Sequence, residues 1–262
     1  ILATATAFGE SGPLAGRVGF DGVGQAMAGG VRLSGTPDQP VRAQVNFVDF
    51  GTALHCAFGV MVALRERDRT GRGQEVAGSL LGTAATIANS LAIDHALTGA
   101  VRTPMGNRSY GSGPTDVFRT TDGWIMTQVV SNVIFARWAT LVGQPGLVDD
   151  PRYADDMARG DHGEALSAIM ADWCATRTTD EAIETLGRAS IPAGPVLHPA
   201  EVMAHPQLRA TGLVEDMDYP GTPAPAPVMR APIDLSETPA APMRRAPQAG
   251  EHSAAILAEL GY

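Results

Sequence analysis

The stretch Val45-Asn46-Phe47-Val48-Asp49 decides the fold, because it places an acid between two recognisable elements. Residues 45–48 have the apolar and β-branched character of a strand. Residues 52–67 repeat apolar side chains at the spacing of an amphipathic helix. The glycine- and arginine-rich run Arg69-Thr70-Gly71-Arg72-Gly73-Gln74 then ends that helix. This order predicts an α/β unit with Asp49 at the carboxyl end of a strand, where open α/β sheets bind ligands.

Asp49 has two possible roles in this arrangement. Aspartate is a favoured N-cap, so the residue could serve only to start the helix. The positive end of the helix dipole would also favour the ionised carboxylate, and an ionised, partly buried carboxylate can act as a nucleophile. The two roles are compatible, and position alone does not separate them.

Composition narrows the class of protein. The 262 residues are 44% hydrophobic, carry a formal net charge of −9, and include 19 arginines and no lysine. Schiff-base chemistry and a P-loop lysine are therefore not available from this chain, and the acidic charge argues against nucleic acid as a partner. We find no apolar run of membrane-spanning length and expect no membrane partner. The two cysteines have no disulfide or metal pattern, which favours the cytoplasm.

The chain divides into five parts by pattern. Strands and helices alternate early on, a glycine-rich break follows residue 103, and prolines dominate residues 211–249. We predict part of a large α/β domain at 1–82, a helical linker and glycine-rich loop at 83–114, a small α+β domain at 115–205, an extended Pro-rich linker at 206–235 and a C-terminal return to the large domain at 236–262. The smaller domain includes a hairpin turning at Thr121-Asp122-Gly123.

The sequence gives little support for a metal site, a dinucleotide-binding loop or a serine nucleophile. No pair among the six histidines and two cysteines has metal-ligand spacing, so we predict no metal site. Gly22-Val23-Gly24 and Gly111-Ser112-Gly113 are only fragments of a dinucleotide fingerprint, and the second equally fits a flexible linker. The chain has no Gly-x-Ser-x-Gly nucleophile motif.

A series of short motifs resembles one enzyme family over most of the chain. The pieces are Phe8-Gly9-Glu10-Ser11-Gly12-Pro13, Gly19-Phe20-Asp21, Val48-Asp49 with its helix, Arg69 to Gln74, Gly106-Asn107, Asp122-Gly123-Trp124, Asp150-Pro151-Arg152-Tyr153, Pro206-Gln207-Leu208, Gly250-Glu251-His252 and the closing Glu259-Leu260-Gly261-Tyr262. Their order and spacing resemble the class III CoA-transferases, which include carnitine CoA-transferases, formyl-CoA transferases and α-methylacyl-CoA racemases. The resemblance implies a Rossmann-like large domain, a smaller α+β domain, and a ring-like chain that interlocks in a homodimer.

The resemblance implies a CoA-transferase in which Asp49 is the catalytic nucleophile. The carboxylate would form an anhydride with the donor acyl group and then an aspartyl-CoA thioester. The substrates would be an acyl-CoA and a carboxylic acid, and no cofactor would be bound permanently. Positions linked to the substrate or to a closing loop would be Phe20, Asp21, Gly106, Asn107, Ser109, Tyr110, Gly111 and Gly113, and Arg69 and Arg72 would contact CoA.

Two other readings stay open. Racemases of the family use a histidine where this chain has Phe20, and phenylalanine cannot transfer a proton, so an epimerase is disfavoured. The neighbouring Asp21 matches an acidic position near the active site of some transferases, or it is the N-cap of its own helix. The family's N-terminal segment, which supplies much of the CoA site, has no counterpart before Ile1. A truncated, non-catalytic subunit is therefore the third reading.

Overall fold

The computed structural model describes residues 1–241 and 243–262, and it divides into two compact units, Ile1–Pro195 and Val196–Tyr262. The strands of the first unit are β1 Leu2–Thr6, β2 Gly35–Thr36, β3 Gln39–Pro40, β4 Glu75–Ser79, β5 Thr115–Arg119, β6 Trp124–Gln128 and β7 Ala193–Pro195. Its helices are α1 Asp21–Met27, α2 Gly30–Leu33, α3 Phe47–Thr70, α4 Leu80–Ile87, α5 Asn89–Thr98, α6 Asn132–Leu141, α7 Asp156–Asp161, α8 Gly163–Cys174 and α9 Thr179–Arg188, with 3-10 turns at Pro145–Asp149 and Pro151–Tyr153. The second unit contains α10 Pro199–Ala204, α11 Pro206–Ala210, β8 Val214–Met217, β9 Ala226–Met229 and α12 Ser253–Glu259. The fold is mixed α/β, as predicted, and the five-part division stays a prediction.

A parallel pair of strands organises the first part of the chain. β1 and β4 pair in register from Leu2 opposite Glu75 to Thr6 opposite Ser79. Parallel strands need a crossover connection, and α3 is the long helix of that crossover, packed against both strands. The packing is close at Gly59 of α3, where a Cβ would lie 2.7 Å from Cγ1 of Val76. A glycine at this point therefore lets the helix approach the sheet.

The helix α3 begins earlier than the sequence predicts. It starts at Phe47, so the strand predicted at residues 45–48 is wrong and Asp49 lies within the first helical turn. Its end agrees with prediction: Gly71 adopts a left-handed conformation with φ 75°, and its N–H donates to the Arg67 carbonyl at 2.7 Å. The early start has a tertiary cause, because the distant Asp21 accepts hydrogen bonds from the Val48 and Asp49 amides.

One side of α3 is apolar and exposed within the first unit. Phe50, Leu54, Phe58 and Met61 recur at helical spacing, and Phe58 is 72% exposed. By length and composition alone this 24-residue helix could cross a membrane, which our expectation about apolar runs missed. A core helix of a soluble protein passes the same test, so length and composition alone do not make α3 a membrane span.

The apolar core lies in the second half of the first unit. β5, β6 and β7 form an antiparallel sheet, and the predicted hairpin is confirmed by the pairing of Thr115 with Gln128 through Arg119 with Trp124. Side chains from this sheet, from α6, α8 and α9, and from the segments beside them form one buried cluster, whose largest members are Phe118, Ile125, Phe135, Trp138, Tyr153, Leu166, Met170, Trp173, Leu186 and Ile191. The Trp138 indole N–H also donates to the Met170 sulfur at 3.2 Å.

The predicted hairpin turn is tied to α9 by Asp122. Its carboxylate accepts hydrogen bonds from the Thr179 backbone N–H at 2.8 Å and from the Thr179 hydroxyl at 2.9 Å. These bonds, the backbone one first, lower the pKa of Asp122 from its ordinary 3.8. The turn is thereby fixed to the N-terminus of a helix.

The second unit is only partly extended. Val214–Met229 contains the antiparallel pair β8–β9, inside the stretch predicted to be an extended Pro-rich linker. The sequence near Ser253–Leu260 predicts a closing helix, and α12 confirms it. Just before it, Arg245 and the Gln248 backbone N–H bind the Glu251 carboxylate and hold its pKa at about 2.

Candidate active site

Asp49 is an exposed residue in the first turn of α3. The N-cap position of this helix is Asn46, and the Asn46 side chain makes no capping hydrogen bond. Our interpretation of Asp49 as the N-cap is therefore wrong. The carboxylate is instead presented from the third residue of the helix, where it is accessible to a reactant.

Asp21 supplies the cap that Asn46 does not. Its side chain is 3% exposed, and Oδ2 accepts hydrogen bonds from the backbone N–H groups of Val48 at 2.8 Å and Asp49 at 3.1 Å. Asp21 makes no capping bond to its own helix α1, so the predicted local N-cap role is also wrong. A carboxylate 27 residues before Val48 thus caps α3, which explains why the helix begins at Phe47.

Gln25 completes this cluster, and our reading of the sequence missed its role. It is 3% exposed, and its Nε2 donates to Asp21 Oδ1 at 2.5 Å. Its Oε1 accepts from the Ala43 backbone N–H at 3.0 Å. The available signal was the i, i+4 spacing of Asp21 and Gln25, which places both on one face of α1.

The amides of the first turn of α3 all have acceptors. Phe47 donates to the Val45 carbonyl at 2.9 Å and Phe50 donates to the Asn46 carbonyl at 3.2 Å, while Asp21 accepts from the two amides between them. The N-terminus of α3 therefore holds a protein carboxylate in place of a ligand anion. Any donors that stabilise an oxyanion at Asp49 must come from other residues.

Phe20 stands at the N-cap position of α1, directly before the buried Asp21. Its side chain is 81% exposed, whereas Asp21 is enclosed. The two adjacent residues therefore lie in different surroundings, although the sequence predicts both near the substrate. The Phe20 ring is at the surface, whereas the Asp21 carboxylate is buried and accepts internal hydrogen bonds.

Gly106 and Asn107, the first residues of the predicted loop, lie next to the hairpin formed by β2 and β3. Gly106, with φ 71°, donates its N–H to the carbonyl of Gly35 in β2 at 3.0 Å. Gly106 and Asn107 line a cavity of about 390 Å³, whose other lining residues are Ser34, Gly35, Thr36, Val41, Arg42 and Ala43. Since Ala43 is bonded to Gln25, one wall of this cavity is fixed to the residues that hold Asp49.

The second half of the loop is docked against the protein. Ser109 forms a bridge with Ser112, and its hydroxyl accepts from the Gly111 N–H at 3.1 Å. Gly113 is buried, and a Cβ there would lie 2.6 Å from the Arg159 carbonyl oxygen of α7. The need for glycine at this position is steric, and the role of Gly113 in a closing loop stays a prediction.

Tyr110 is also held in this docked segment. The guanidinium of Arg102 lies over its ring at 4.8 Å, and a Cβ at Gly160 would lie 2.0 Å from its carbonyl oxygen. The role of Ser109, Tyr110 and Gly111 toward a substrate stays a prediction.

The two arginines predicted to contact CoA lie at the far end of α3. Arg69 is paired with Glu66 at 2.8 Å, and Arg72 follows the helix stop beside Gly73. Twenty residues of helix separate Arg69 from Asp49, which corresponds to about 30 Å along the axis. The structure therefore does not bring them into one site with the nucleophile. Within residues 1–241 and 243–262, no group of three acidic, histidine or cysteine side chains is arranged for a metal ion.

Comparison with known families shows the family to which this fold belongs. A family model described as CoA-transferase family III matches residues 1–253. The chain belongs to this family. The match covers α3, the Asp21 and Gln25 cluster and the loop that begins at Gly106.

Relatives within CoA-transferase family III carry specific names. The chain is 31% identical over 262 residues to a succinate–glutarate CoA-transferase of Agrobacterium fabrum, covering 99% of this chain and 65% of that protein. It is 30% identical to a succinyl-CoA–D-citramalate CoA-transferase of Chloroflexus aurantiacus, with the same coverage. The chain thus spans about two thirds of the length of these relatives.

A solved structure agrees with this assignment. The crystal structure of a CAIB/BAIF family protein from Brucella suis superposes with a TM-score of 0.79 at 31% identity, covering 98% of this chain and 67% of that one. The mixed α/β fold is therefore that of known family members.

Proposed function

We propose that this chain is part of an acyl-CoA:carboxylate CoA-transferase in which Asp49 is the nucleophile. The observation that carries the proposal is the placement of Asp49: an exposed carboxylate on a helix turn whose backbone is fixed by a buried carboxylate. Membership of CoA-transferase family III over nearly the whole chain supports the same reaction class.

The proposed reaction has two exchanges at Asp49. An Asp49 oxygen attacks the donor thioester, the C–S bond breaks, and a mixed anhydride and CoA thiolate form. The thiolate then attacks the aspartyl carbonyl and releases the donor acid, which keeps the bridging oxygen from Asp49. An acceptor carboxylate reverses both steps and leaves one of its oxygens on Asp49. No electron is transferred and no cofactor is required.

We propose dicarboxylic acids as the substrate class, with succinyl-CoA as a donor. The support is the naming of two relatives, each of which pairs succinate or its CoA ester with another acid. An epimerase is less favoured, because the exposed Phe20 cannot exchange a proton with an α-carbon.

We also propose the assembly that the family resemblance implies: a Rossmann-like large domain in a ring-like chain that interlocks with a second copy. The exposed apolar side of α3 supports a covering partner, since large apolar patches usually mark interfaces. Light scattering should give the mass of a dimer, and a monomer at micromolar concentration would contradict this part of the proposal. We expect the protein in the cytoplasm.

The reaction is tested by intact-mass analysis after brief exposure to succinyl-CoA, followed by hydroxylamine trapping. Trypsin cleavage at Arg42 and Arg65 yields a peptide whose one acidic side chain is Asp49, so a modified peptide locates the adduct. We expect the adduct in the natural protein and in Asp68→Asn, a control on the last turn of the same helix, but not in Asp49→Asn. An adduct on another residue, or near-normal transfer by Asp49→Asn, would overturn the assignment. Binding of CoA without any adduct would favour the non-catalytic reading.

A further inference from the structure

We infer that Asp21 and Gln25 together form a clamp that positions the nucleophile, and that its function depends on the direction of its hydrogen bonds. The inference rests on the proposed function of Asp49. We call the two residues the Asp21–Gln25 clamp. Neither is proposed to touch substrate, so both are positioning residues.

The clamp holds the backbone of the nucleophile itself. Oδ2 of Asp21 accepts from the Asp49 amide at 3.1 Å as well as from the Val48 amide at 2.8 Å. Because the Asn46 side chain makes no capping bond, no local group takes over these two donors if Asp21 is lost. A shift in the first turn of α3 would therefore move Asp49 directly, and small misplacements of a reacting group are costly.

The clamp also fixes the wall of the nearby cavity relative to Asp49. Gln25 bonds to Asp21 on one side and to the Ala43 amide on the other, at 2.5 and 3.0 Å. Ala43 lines the cavity that includes Gly106 and Asn107. Two side chains thereby hold three segments in one arrangement: α1, the connection that contains Ala43, and α3.

The burial of the clamp excludes a direct chemical role. Both residues are 3% exposed, and both oxygens of Asp21 are already occupied by donors. A carboxylate in this state is enclosed and saturated, whereas a general base needs a free oxygen within reach of a substrate proton.

The direction of the bonds allows a sharp test by exchanging the two chemical groups. Asp21→Asn turns one accepting oxygen into a donor, which then faces either Gln25 Nε2 or the α3 amides. Gln25→Glu alone places two carboxyl groups in contact. In the double variant Asp21→Asn/Gln25→Glu, the introduced amide donates to the introduced carboxylate. Its oxygen still accepts from Val48 and Asp49, and the second carboxylate oxygen accepts from the Ala43 N–H. The longer bond from Gln25 Nε2 to the Ala43 carbonyl, at 3.4 Å, is lost in this variant. The net charge of the pair is preserved.

The experiment measures two quantities on the natural protein and these three variants: the rate of adduct formation with succinyl-CoA, and hydrogen exchange of the Val48 and Asp49 amides. We expect Asp21→Asn to slow the adduct by about tenfold to a hundredfold with unchanged CoA affinity, and to speed exchange at both amides. The double variant should restore both quantities to within about threefold of the natural protein. This rescue separates bond direction from a general loss of structure, which a second substitution would not repair.

Each contrary result is decisive. Unchanged amide exchange in Asp21→Asn, or a folded double variant no better than the single ones, would overturn the clamp. If the natural protein forms no adduct, the proposed function fails, while the exchange data still decide whether the clamp holds the helix turn.

Discussion

Residues 1–98 and residues 115–195 are stabilised in different ways. In residues 1–98, all of which the structure describes, the buried hydrophobic residues are Val48, Ala63 and Ala84. In residues 115–195, aromatic and aliphatic side chains from one sheet and three helices form a continuous core. The region that carries Asp49 therefore buries few apolar side chains completely.

Buried polar side chains link the elements of residues 1–98 by hydrogen bonds. Besides the Asp21–Gln25 clamp, the buried Thr52 hydroxyl lies 2.9 Å from Thr83 Oγ1 and links α3 to α4. Buried polar groups demand specific partners, so they fix geometry more narrowly than apolar contacts of similar area. The candidate site therefore lies in the region whose geometry is fixed by a few buried hydrogen bonds. The apolar face of α3 beside it remains exposed.

The largest expected effect is on the apolar core. Trp138→Ala removes a fully buried indole and its bond to Met170, and we expect a loss of about 3–5 kcal/mol in the free energy of unfolding. Val133→Ala on the same helix, at an exposed position, should change it by less than about 0.5 kcal/mol. Denaturant unfolding measures both. Equal effects for the two variants would break the comparison, because residues 115–195 would not depend on their own core.

A smaller effect is expected in the docked half of the loop. Gly113→Ala forces a Cβ to within 2.6 Å of the Arg159 carbonyl, so we expect a loss of about 1–3 kcal/mol. Gly111→Ala is the matched control, because the nearest atom to its added Cβ is the Ser109 hydroxyl at 4.0 Å. Thermal unfolding should separate the two variants. If Gly111→Ala and Gly113→Ala instead both left stability intact and slowed transfer, both glycines would act through loop mobility.

The smallest expected effect concerns acid. The pKa of Asp122 is lowered in the folded state, so its bonds to Thr179 contribute stability above the ordinary 3.8 and lose it as pH falls below that value. Asp122→Asn should therefore reduce the loss in the free energy of unfolding as the pH is lowered. Thr179→Ala, which keeps the backbone N–H, should give an intermediate curve. Unfolding followed at a series of pH values makes the measurement, and an unchanged loss in Asp122→Asn would remove this link from the account.

The sequence predicts elements whose signals are local. The hairpin at Thr121–Gly123, the left-handed stop at Gly71 and the closing helix near residue 253 all follow from residues within a few positions. The class of the fold follows from the same patterns. The candidate nucleophile follows from the resemblance together with its place before an apolar helix.

The errors arise where distant residues decide the outcome. Residues 45–48 have strand-like side chains, but Asp21 caps their amides from 27 residues away and the helix includes Phe47 and Val48. Gly113 has the sequence context of a flexible linker, yet its Cα faces the carbonyl of Arg159, 46 positions later in the chain. Neither contact is signalled by the residues next to it in the sequence, so a local pattern could not predict it.

The most direct measurement of the central claim follows oxygen atoms. An acceptor dicarboxylic acid labelled with the heavy oxygen isotope is supplied with succinyl-CoA, and the tryptic peptide between Arg42 and Arg65 is weighed after turnover. We predict one labelled oxygen on Asp49 after the first turnover and up to two after several turnovers, together with label in the released succinate. Transfer of CoA to the acceptor with no label in the Asp49 peptide would contradict the account.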